Sequence, residues 1–329
     1  MRKTVFVDMI PDLSEVMAPT HEKYRSKRNL ALAEMVTQDG SSWTERSCPA
    51  CRSATPVRRF SQAIIPFGKC ASCGTIFARK LPSQAMLDGR RLADQPDHDK
   101  DEEVGAHAAR SIQFTSLTNW MRLTAARHSR TIGKVLDYRF STNAAGWPFA
   151  ARASGVANKW YFSSVRSPED QGALEQLARE LQEFLPDTVT IFSELDRFSD
   201  PSALLQLIKE NTKSGAWIFI AAACADGLEY ELLGADSPSF IPLDRLNLFS
   251  LSGLTDLAVD IGYDVIEVAT PGRLDAVILQ QYYNLLHDET TPFWPKFFRD
   301  ADKDTLQNFQ IFLQRSLRSG VLRLVMRHP

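Results

Sequence analysis

Long apolar stretches are absent from this 329-residue sequence. A membrane-spanning helix needs about 20 consecutive apolar residues, and no window of the sequence approaches that length. Near the start, Arg2 and Lys3 precede a segment that Asp8, Pro11 and Asp12 interrupt. That interruption argues against a secretory signal. We therefore expect a cytoplasmic protein with no membrane partner, and the chain length predicts about two domains.

The sequence also has little excess charge, with 38 basic and 40 acidic side chains. Seven of the basic residues fall between positions 46 and 80, a segment without any acidic residue. This basic segment makes a nucleic-acid or protein interaction module one functional alternative. The basic stripe does not continue elsewhere in the chain, which argues against a nucleic-acid partner.

Cysteine is scarce, and four of the five cysteines form two CxxC motifs. Eighteen residues separate the motif of Cys48 and Cys51 from the motif of Cys70 and Cys73. Two intervening residues allow a tight turn to direct both sulfurs at one ion, about 2.3 Å away. Four thiolates leave no open coordination position, so the spacing predicts a structural zinc ribbon and not a catalytic metal or a redox pair.

Beyond the cysteine motifs, short apolar runs alternate with segments of helical periodicity. Predicted strands cover 134–137, 160–163, 188–193, 216–223, 264–269, 276–283 and 321–326, with a turn at Pro271-Gly272 between the fifth and sixth. Predicted helices cover 106–131, 174–185, 200–209, 250–261 and 304–317. Strands that alternate with helices favour a mostly parallel α/β sheet.

Four regions follow from this pattern. An N-terminal extension over 1–45 is expected to contain a strand at 4–9 and a basic helix at 22–35. The ribbon covers 46–80, and a connector with one helix covers 81–131. The α/β domain covers 132–329.

The ribbon and the runs 187–205, 245–275 and 312–329 resemble class I S-adenosylmethionine-dependent methyltransferases that carry an N-terminal zinc ribbon. The resemblance implies a Rossmann-like sheet that is mostly parallel and ends in an antiparallel hairpin. It also implies S-adenosylmethionine as cofactor and a small-molecule acceptor, such as a sugar or a natural-product intermediate.

The cofactor motif of that family is altered in this chain. The resemblance implies an acidic residue and a glycine-rich turn after the first strand, but Asp137 is followed by YRFSTN at 138–143. A glycine would let the backbone approach the cofactor, and a side chain fills that space. The second strand ends at Ser163 in place of the family's ribose-binding carboxylate. If each lost contact costs about 1–3 kcal/mol, micromolar affinity becomes millimolar or weaker.

Candidate residues for the implied site follow from these positions. Those for cofactor contact are Asp137, Tyr138, Arg139, Asn143, Ser163 and Ser193. The catalytic residues are not identified, and the candidates are Glu194, Asp196 and Arg245. Glu194 and Asp196 could act as general bases, but solvated loop carboxylates are the commoner interpretation. Arg139 could fill the vacated cofactor pocket or bind an anion there, and a surface arginine is the favoured interpretation. Asp137 is expected either to contact a ligand amine through water or to cap the following turn.

Two further hypotheses remain open for the α/β domain. The first is a methyltransferase-like protein with a degraded S-adenosylmethionine site, acting as a binding or scaffold subunit beside a protein partner or an active homologue. The second is an active methyltransferase for a small molecule, in which catalysis depends on alignment of donor and acceptor. The altered glycine turn slightly favours the first hypothesis.

Overall fold

The computed structural model describes residues 2–5, 7, 43–54, 56–62, 65–83, 103–139, 147–163, 165, 171–238, 240, 245–286 and 293–329. Its strands are β1 (Arg2–Lys3), β2 (Thr44–Glu45), β3 (Pro56–Gln62), β4 (Ile65–Cys70), β5 (Ile76–Ala78), β6 (Lys80–Leu81), β7 (Lys134–Asp137), β8 (Lys159–Phe162), β9 (Thr188–Phe192), β10 (Trp217–Ala223), β11 (Asn247–Leu248), β12 (Asp264–Ala269) and β13 (Val321–Arg327). Its helices are α1 (Glu103–Arg127), α2 (Trp147–Ala153), α3 (Gln171–Phe184), α4 (Pro201–Glu210), α5 (Leu228–Leu233), α6 (Leu251–Ile261), α7 (Asp275–Gln281), α8 (Phe293–Asp300) and α9 (Lys303–Arg315).

The main sheet has seven strands in the order β1-β12-β13-β10-β9-β7-β8. Only β13 runs antiparallel to the other described strands, because it pairs in that sense with both β10 and β12. A mostly parallel sheet with helices between its strands is the Rossmann-like arrangement that the sequence predicts, so the predicted fold class is confirmed.

Helices cover the main sheet on two faces, as its apolar strands require. On one face, Trp120 and Met121 of α1 pack with Val135 and Phe219. On the other face, α3, α4 and α6 bury apolar residues against β7, β9 and β10, and Leu181, Leu205 and Leu254 lie in this layer. Among the described residues, every helix is too short or too polar to traverse a lipid bilayer.

Local signals fix several helix ends. Asp200 caps α4 by accepting hydrogen bonds from the amides of Ser202 and Ala203, at 3.1 and 3.2 Å, and Pro201 occupies the first helical position. Gly262 ends α6 in the left-handed conformation, with φ of 89°. These ends agree with the sequence prediction, since proline fixes the first turn and glycine tolerates positive φ.

The ribbon forms its own small sheet, in the order β11-β5-β4-β3. The two strands predicted between the CxxC motifs are β3 and β4. The fourth strand, β11, comes from the α/β region and pairs antiparallel with β5. The ribbon therefore shares a sheet with a segment that lies about 170 residues further along the chain.

The predicted strand at 276–283 is wrong, because these residues belong mainly to the helix α7. Buried apolar runs of this length fit a helix or a strand equally well by periodicity alone. Ala276, Ile278 and Leu279 pack against Phe298 and Leu306 of α8 and α9. The antiparallel partner of β12 is consequently β13, reached through three helices and not through a hairpin turn.

At the N-terminus, the strand β1 covers Arg2–Lys3 and pairs in parallel with β12. In the described part of the strand predicted at 4–9, the amide of Thr4 donates to the carbonyl of Val268 at 2.9 Å. Of that predicted strand, residues 6, 8 and 9 lie outside the described residues, as does the predicted helix at 22–35.

Candidate functional site

The two CxxC motifs meet in one cluster of four sulfurs. The sulfurs of Cys48 and Cys73 are 3.6 Å apart, and those of Cys51 and Cys70 are 3.4 Å apart. All four lie within 4.8 Å of one another. A tetrahedral ion with bonds of about 2.3 Å has ligand atoms roughly 3.8 Å apart. The predicted ligands therefore have the spacing that one shared metal ion requires.

Each knuckle is closed by its own backbone. The amide of Arg52 donates to the carbonyl of Cys48 at 2.8 Å, and the amide of Gly74 donates to that of Cys70 at 3.0 Å. Gly74 has φ of 79°, a conformation that favours glycine. These turns direct both pairs of sulfurs at one point.

The thiols of the cluster have very different proton affinities. Burial raises the pKa of Cys51 to about 11, whereas a hydrogen bond from Cys48 lowers the pKa of Cys73 to about 4. Without a cation, the buried cluster therefore holds protons on some of its sulfurs. A bound cation replaces those protons, since thiolates are the metal-binding form. Four sulfur donors fit a borderline or soft metal ion.

Hydrogen bonds join the ribbon to the α/β region near the carboxyl ends of the main-sheet strands. Arg46 donates to the carbonyl of Ser199 at 2.6 Å and to the side-chain oxygen of Asn247 at 3.0 Å. Asn247 in turn donates to the carbonyl of Phe198 at 2.6 Å. These bonds tie the base of the ribbon to the segment that follows β9.

At the carboxyl end of β7, Asp137 is buried and its side chain is already engaged. One of its oxygens accepts from the hydroxyl of Thr190 on β9 at 2.6 Å, and the other lies 3.4 Å from Nε of Arg139. The next residue, Tyr138, is also fully buried, with its ring 6.0 Å from that of Phe198. Neither side chain presents an open polar edge to solvent.

Arg139 lies between two buried carboxylates. Beside its contact with Asp137, its Nη1 is 4.0 Å from Oε1 of Glu194. Its guanidinium carbon lies 5.6 Å from the centre of the Trp147 ring. Only 16% of the side chain is exposed. The interpretation of Arg139 as a surface arginine is therefore wrong, and the side chain occupies the end of β7.

Glu194 and Asp196 are not solvated loop carboxylates, because both are fully buried. The chain turns tightly here, in a 3-10 turn over Leu195–Arg197. Asp196 accepts from the amide of Ala223 at 3.3 Å and forms a short ion pair with Arg245. The structure thus pairs two of the three catalytic candidates with each other, while Glu194 faces Arg139.

The two serine candidates also have partners in the protein. Ser163 donates its hydroxyl to Glu180 of α3 at 2.6 Å, and Glu180 is a buried residue that the sequence analysis missed. Ser193 has φ of 60° and its amide donates to the carbonyl of Ala221 at 2.7 Å. Asn143 and Phe140 lie outside the described residues.

A separate groove of about 570 Å³ lies between α4 and α6, beside the first knuckle. Its lining includes Arg52 and Lys209 as cations and Glu210 and Asp260 as anions. None of the predicted cofactor or catalytic residues lines it. Because opposite charges balance in the lining, charge does not select one class of ligand for this groove.

No family model matches this chain, and no curated protein matches it either. Among solved structures, the chain is similar to the plantazolicin methyltransferase BpumL in complex with SAH, at 12% identity over 74% of this chain and 94% of that chain, with a TM-score of 0.41. It is similar to the complex between the Haloferax volcanii Trm112 methyltransferase activator and a candidate methyltransferase, at 14% identity over 68% of this chain and 96% of that chain, with a TM-score of 0.40. Coclaurine N-methyltransferase bound to N-methylheliamine and SAH is similar at 12% identity over 74% of this chain and 92% of that chain, with a TM-score of 0.34. TM-scores this low do not identify an activity. The function of this chain depends on its own residues at the site.

Proposed function

We propose that this chain is a methyltransferase-like binding or scaffold subunit whose cofactor site does not support methyl transfer, and that its ribbon holds a structural zinc ion. The observation that carries the first part is the position of Arg139 between Asp137 and Glu194. The observation that carries the second is the cluster of four sulfurs.

At the end of β7, Arg139 competes for the carboxylate of Asp137 with S-adenosylmethionine, which carries a sulfonium and an ammonium group. In the family that the chain resembles, an acidic residue follows the first strand, and Asp137 stands at the corresponding position of this chain. Here that carboxylate already has a cation, Arg139, as its neighbour. A second cation at this place would have to displace Arg139 from the carboxylate or share the carboxylate with it.

Side-chain packing and hydrogen bonding at the site also oppose binding of the cofactor. Arg139 and Tyr138 stand where the family has glycines, and both side chains are packed, against Trp147 and Phe198 respectively. Ser163 donates its hydroxyl to Glu180, so its proton is not available for a ribose hydroxyl oxygen. Each of these features weakens cofactor binding independently.

Zinc is proposed because four thiolates in a tetrahedral arrangement are its usual structural ligand set. The test is metal analysis of the purified protein, which should find one zinc per chain. A Cys73→Ser variant should lose that zinc. Iron in the purified protein, together with visible absorption bands from iron–thiolate bonds, would contradict the zinc assignment.

An active small-molecule methyltransferase is the second candidate function. The observation in its favour is the group of charged residues at one edge of the sheet, in which Glu194 and Asp196 are buried and Arg245 is half-buried. Buried ionisable groups gather at functional sites more often than elsewhere. In this alternative, Arg139 would have to move away from Asp137 when the cofactor binds.

Calorimetric titration of the zinc-loaded protein with S-adenosylmethionine and S-adenosylhomocysteine separates the two candidates. We expect no binding by the native protein at millimolar ligand. Arg139→Ala removes the competing cation and should bring back measurable binding of the positively charged ligand. Arg152→Ala is the matched control, since this exposed arginine also stacks on an aromatic ring, that of Phe162. Micromolar binding by the native protein would overturn the proposal.

A further inference from the structure

The first turn of α6 lies directly against the second cysteine knuckle. The hydroxyls of Ser250 and Ser252 both donate to the carbonyl of Cys73, with Ser252 at 2.9 Å. The amide of Ser250 donates to the hydroxyl oxygen of Thr75 at 3.3 Å. Ser250 is also the N-cap of the helix and accepts from the amide of Gly253 at 2.9 Å. Cap and knuckle are therefore one hydrogen-bonded unit.

Gly253 leaves no room for a side chain at this contact. A β-carbon at position 253 would lie 3.2 Å from the sulfur of Cys73 and 2.8 Å from the hydroxyl of Ser250, and it would overlap the hydroxyl of Thr75. Thr75 is fully buried, so its side chain cannot move into solvent to make room for a β-carbon. A glycine inside a helix costs about 1 kcal/mol relative to alanine. Its presence here is explained by the close approach of the helix to the metal ligand.

The electrostatics of the contact suit an occupied metal site. Four thiolates around one dication carry a net charge of about −2. The N-terminus of a helix carries a partial positive charge and stabilises nearby anions. The first turn of α6 has no acidic residue that would cancel this effect. Thr75 belongs to the same contact, because its hydroxyl oxygen lies 3.3 Å from that of Ser250 and accepts from the amide of Ser250.

We propose that the first turn of α6, through Gly253, and the neighbouring Thr75 of the ribbon stabilise the metal centre. The ribbon and the α/β region then bind the metal jointly. The inference rests on the proposed zinc site. Metal binding is then linked to the order of the 245–254 segment, which also carries the partner of Asp196. The metal therefore stabilises the segment that carries Arg245 as well as the ribbon.

The first test compares the zinc affinity of full-length variants by competition with a chromophoric chelator. Gly253→Ala should weaken zinc binding at least tenfold, since loss of groups that support metal ligands typically costs 10- to 100-fold in affinity. Gly172→Ala is the matched control, because Gly172 also lies in the first turn of a helix, α3, but is exposed. Its zinc affinity should stay within about twofold of the native value.

Thr75→Val provides a second route if Gly253→Ala fails to fold. This change keeps the shape of the side chain and removes the hydroxyl, and we expect it to weaken zinc binding several-fold while the protein stays folded. Unchanged affinity in a folded Gly253→Ala, or in Thr75→Val where Gly253→Ala does not fold, would overturn the inference. A native protein that binds no zinc would instead overturn the zinc site itself, so the two failures are distinguishable.

Hydrogen exchange gives a readout that does not depend on affinity. Removal of zinc from the native protein should speed amide exchange at 250–257 as well as in the ribbon. Exchange that rises only within 46–80 would show that the metal supports the ribbon alone.

Discussion

Replacement of Asp275 by asparagine should change how the stability of the protein depends on pH. Asp275 is buried at the start of α7. One carboxylate oxygen accepts from the amide of Gly320 at 2.6 Å, and the other accepts from the side-chain amide of Gln310 at 2.9 Å. Despite these bonds, burial raises the pKa of Asp275 from 3.8 to about 6. The ionised form is therefore disfavoured in the folded protein.

The size and sign of the effect follow from this shift in the pKa. Between pH 4 and pH 6, the folded chain retains a proton that the unfolded chain has lost, so the free energy of unfolding falls as the pH rises. A shift from 3.8 to about 6 corresponds to about 3 kcal/mol. The side-chain amide of the Asp275→Asn variant does not ionise in this range. The native protein should therefore lose about 2.4 kcal/mol relative to that variant between pH 4 and pH 7.

Urea unfolding of both proteins, followed by circular dichroism at several pH values, measures this difference. Zinc release at acid pH affects both proteins alike, so it cancels when one is subtracted from the other. Asn308→Ala, at an exposed position in α9, is the control, because neither side chain ionises, and it should show a constant offset from the native protein. A difference between the native protein and Asp275→Asn that stays constant across the range would refute the reasoning, as would a difference of the opposite sign.

Two further substitutions test the packing around the main sheet. Burial opposes ionisation of Glu267, but the hydrogen bonds and charges of Arg127 and His128 together outweigh it and lower the pKa of Glu267. Glu267→Gln should therefore cost about 1–3 kcal/mol at pH 7, and this cost should shrink as the pH falls below 4. A cost that persists unchanged at acid pH would contradict the role of the charge. Gly227→Ala would place a β-carbon 2.7 Å from the backbone of Gly320, so we expect a loss of about 1–3 kcal/mol in urea unfolding, compared with almost none for Gly172→Ala.

The parts of the fold that sequence predicts well are those set by local chemistry. Proline after Asp200 and glycine at 262 mark helix ends through backbone conformation alone. The cysteine spacing predicts the metal cluster for the same reason, because each knuckle is closed by neighbouring residues. The strand predicted at 276–283 fails because its apolar run is buried on several sides, which removes the periodicity that separates helix from strand.

The candidate site is predicted less well, because it depends on contacts between distant parts of the chain. The positions of Asp137, Arg139 and Glu194 could be read from the sequence, but not their burial or their contacts with one another. Glu180 was missed because the feature that marks it, the hydrogen bond from Ser163 to its side chain on α3, leaves no pattern in the sequence. The bond between Arg46 and Asn247 joins residues 201 positions apart, and no local pattern indicates it.

The same contacts supply the buried carboxylate at the end of β7 with partners from within the protein. A buried carboxylate without partners would be costly, and Asp137 is buried. Here Thr190 and Arg139 engage that carboxylate from within the protein. The loops above the strands are held separately, by Arg46 at Ser199 and by Arg245 at Asp196. The stability of this edge of the sheet therefore rests on internal partners, and the proposed zinc adds support from the ribbon side.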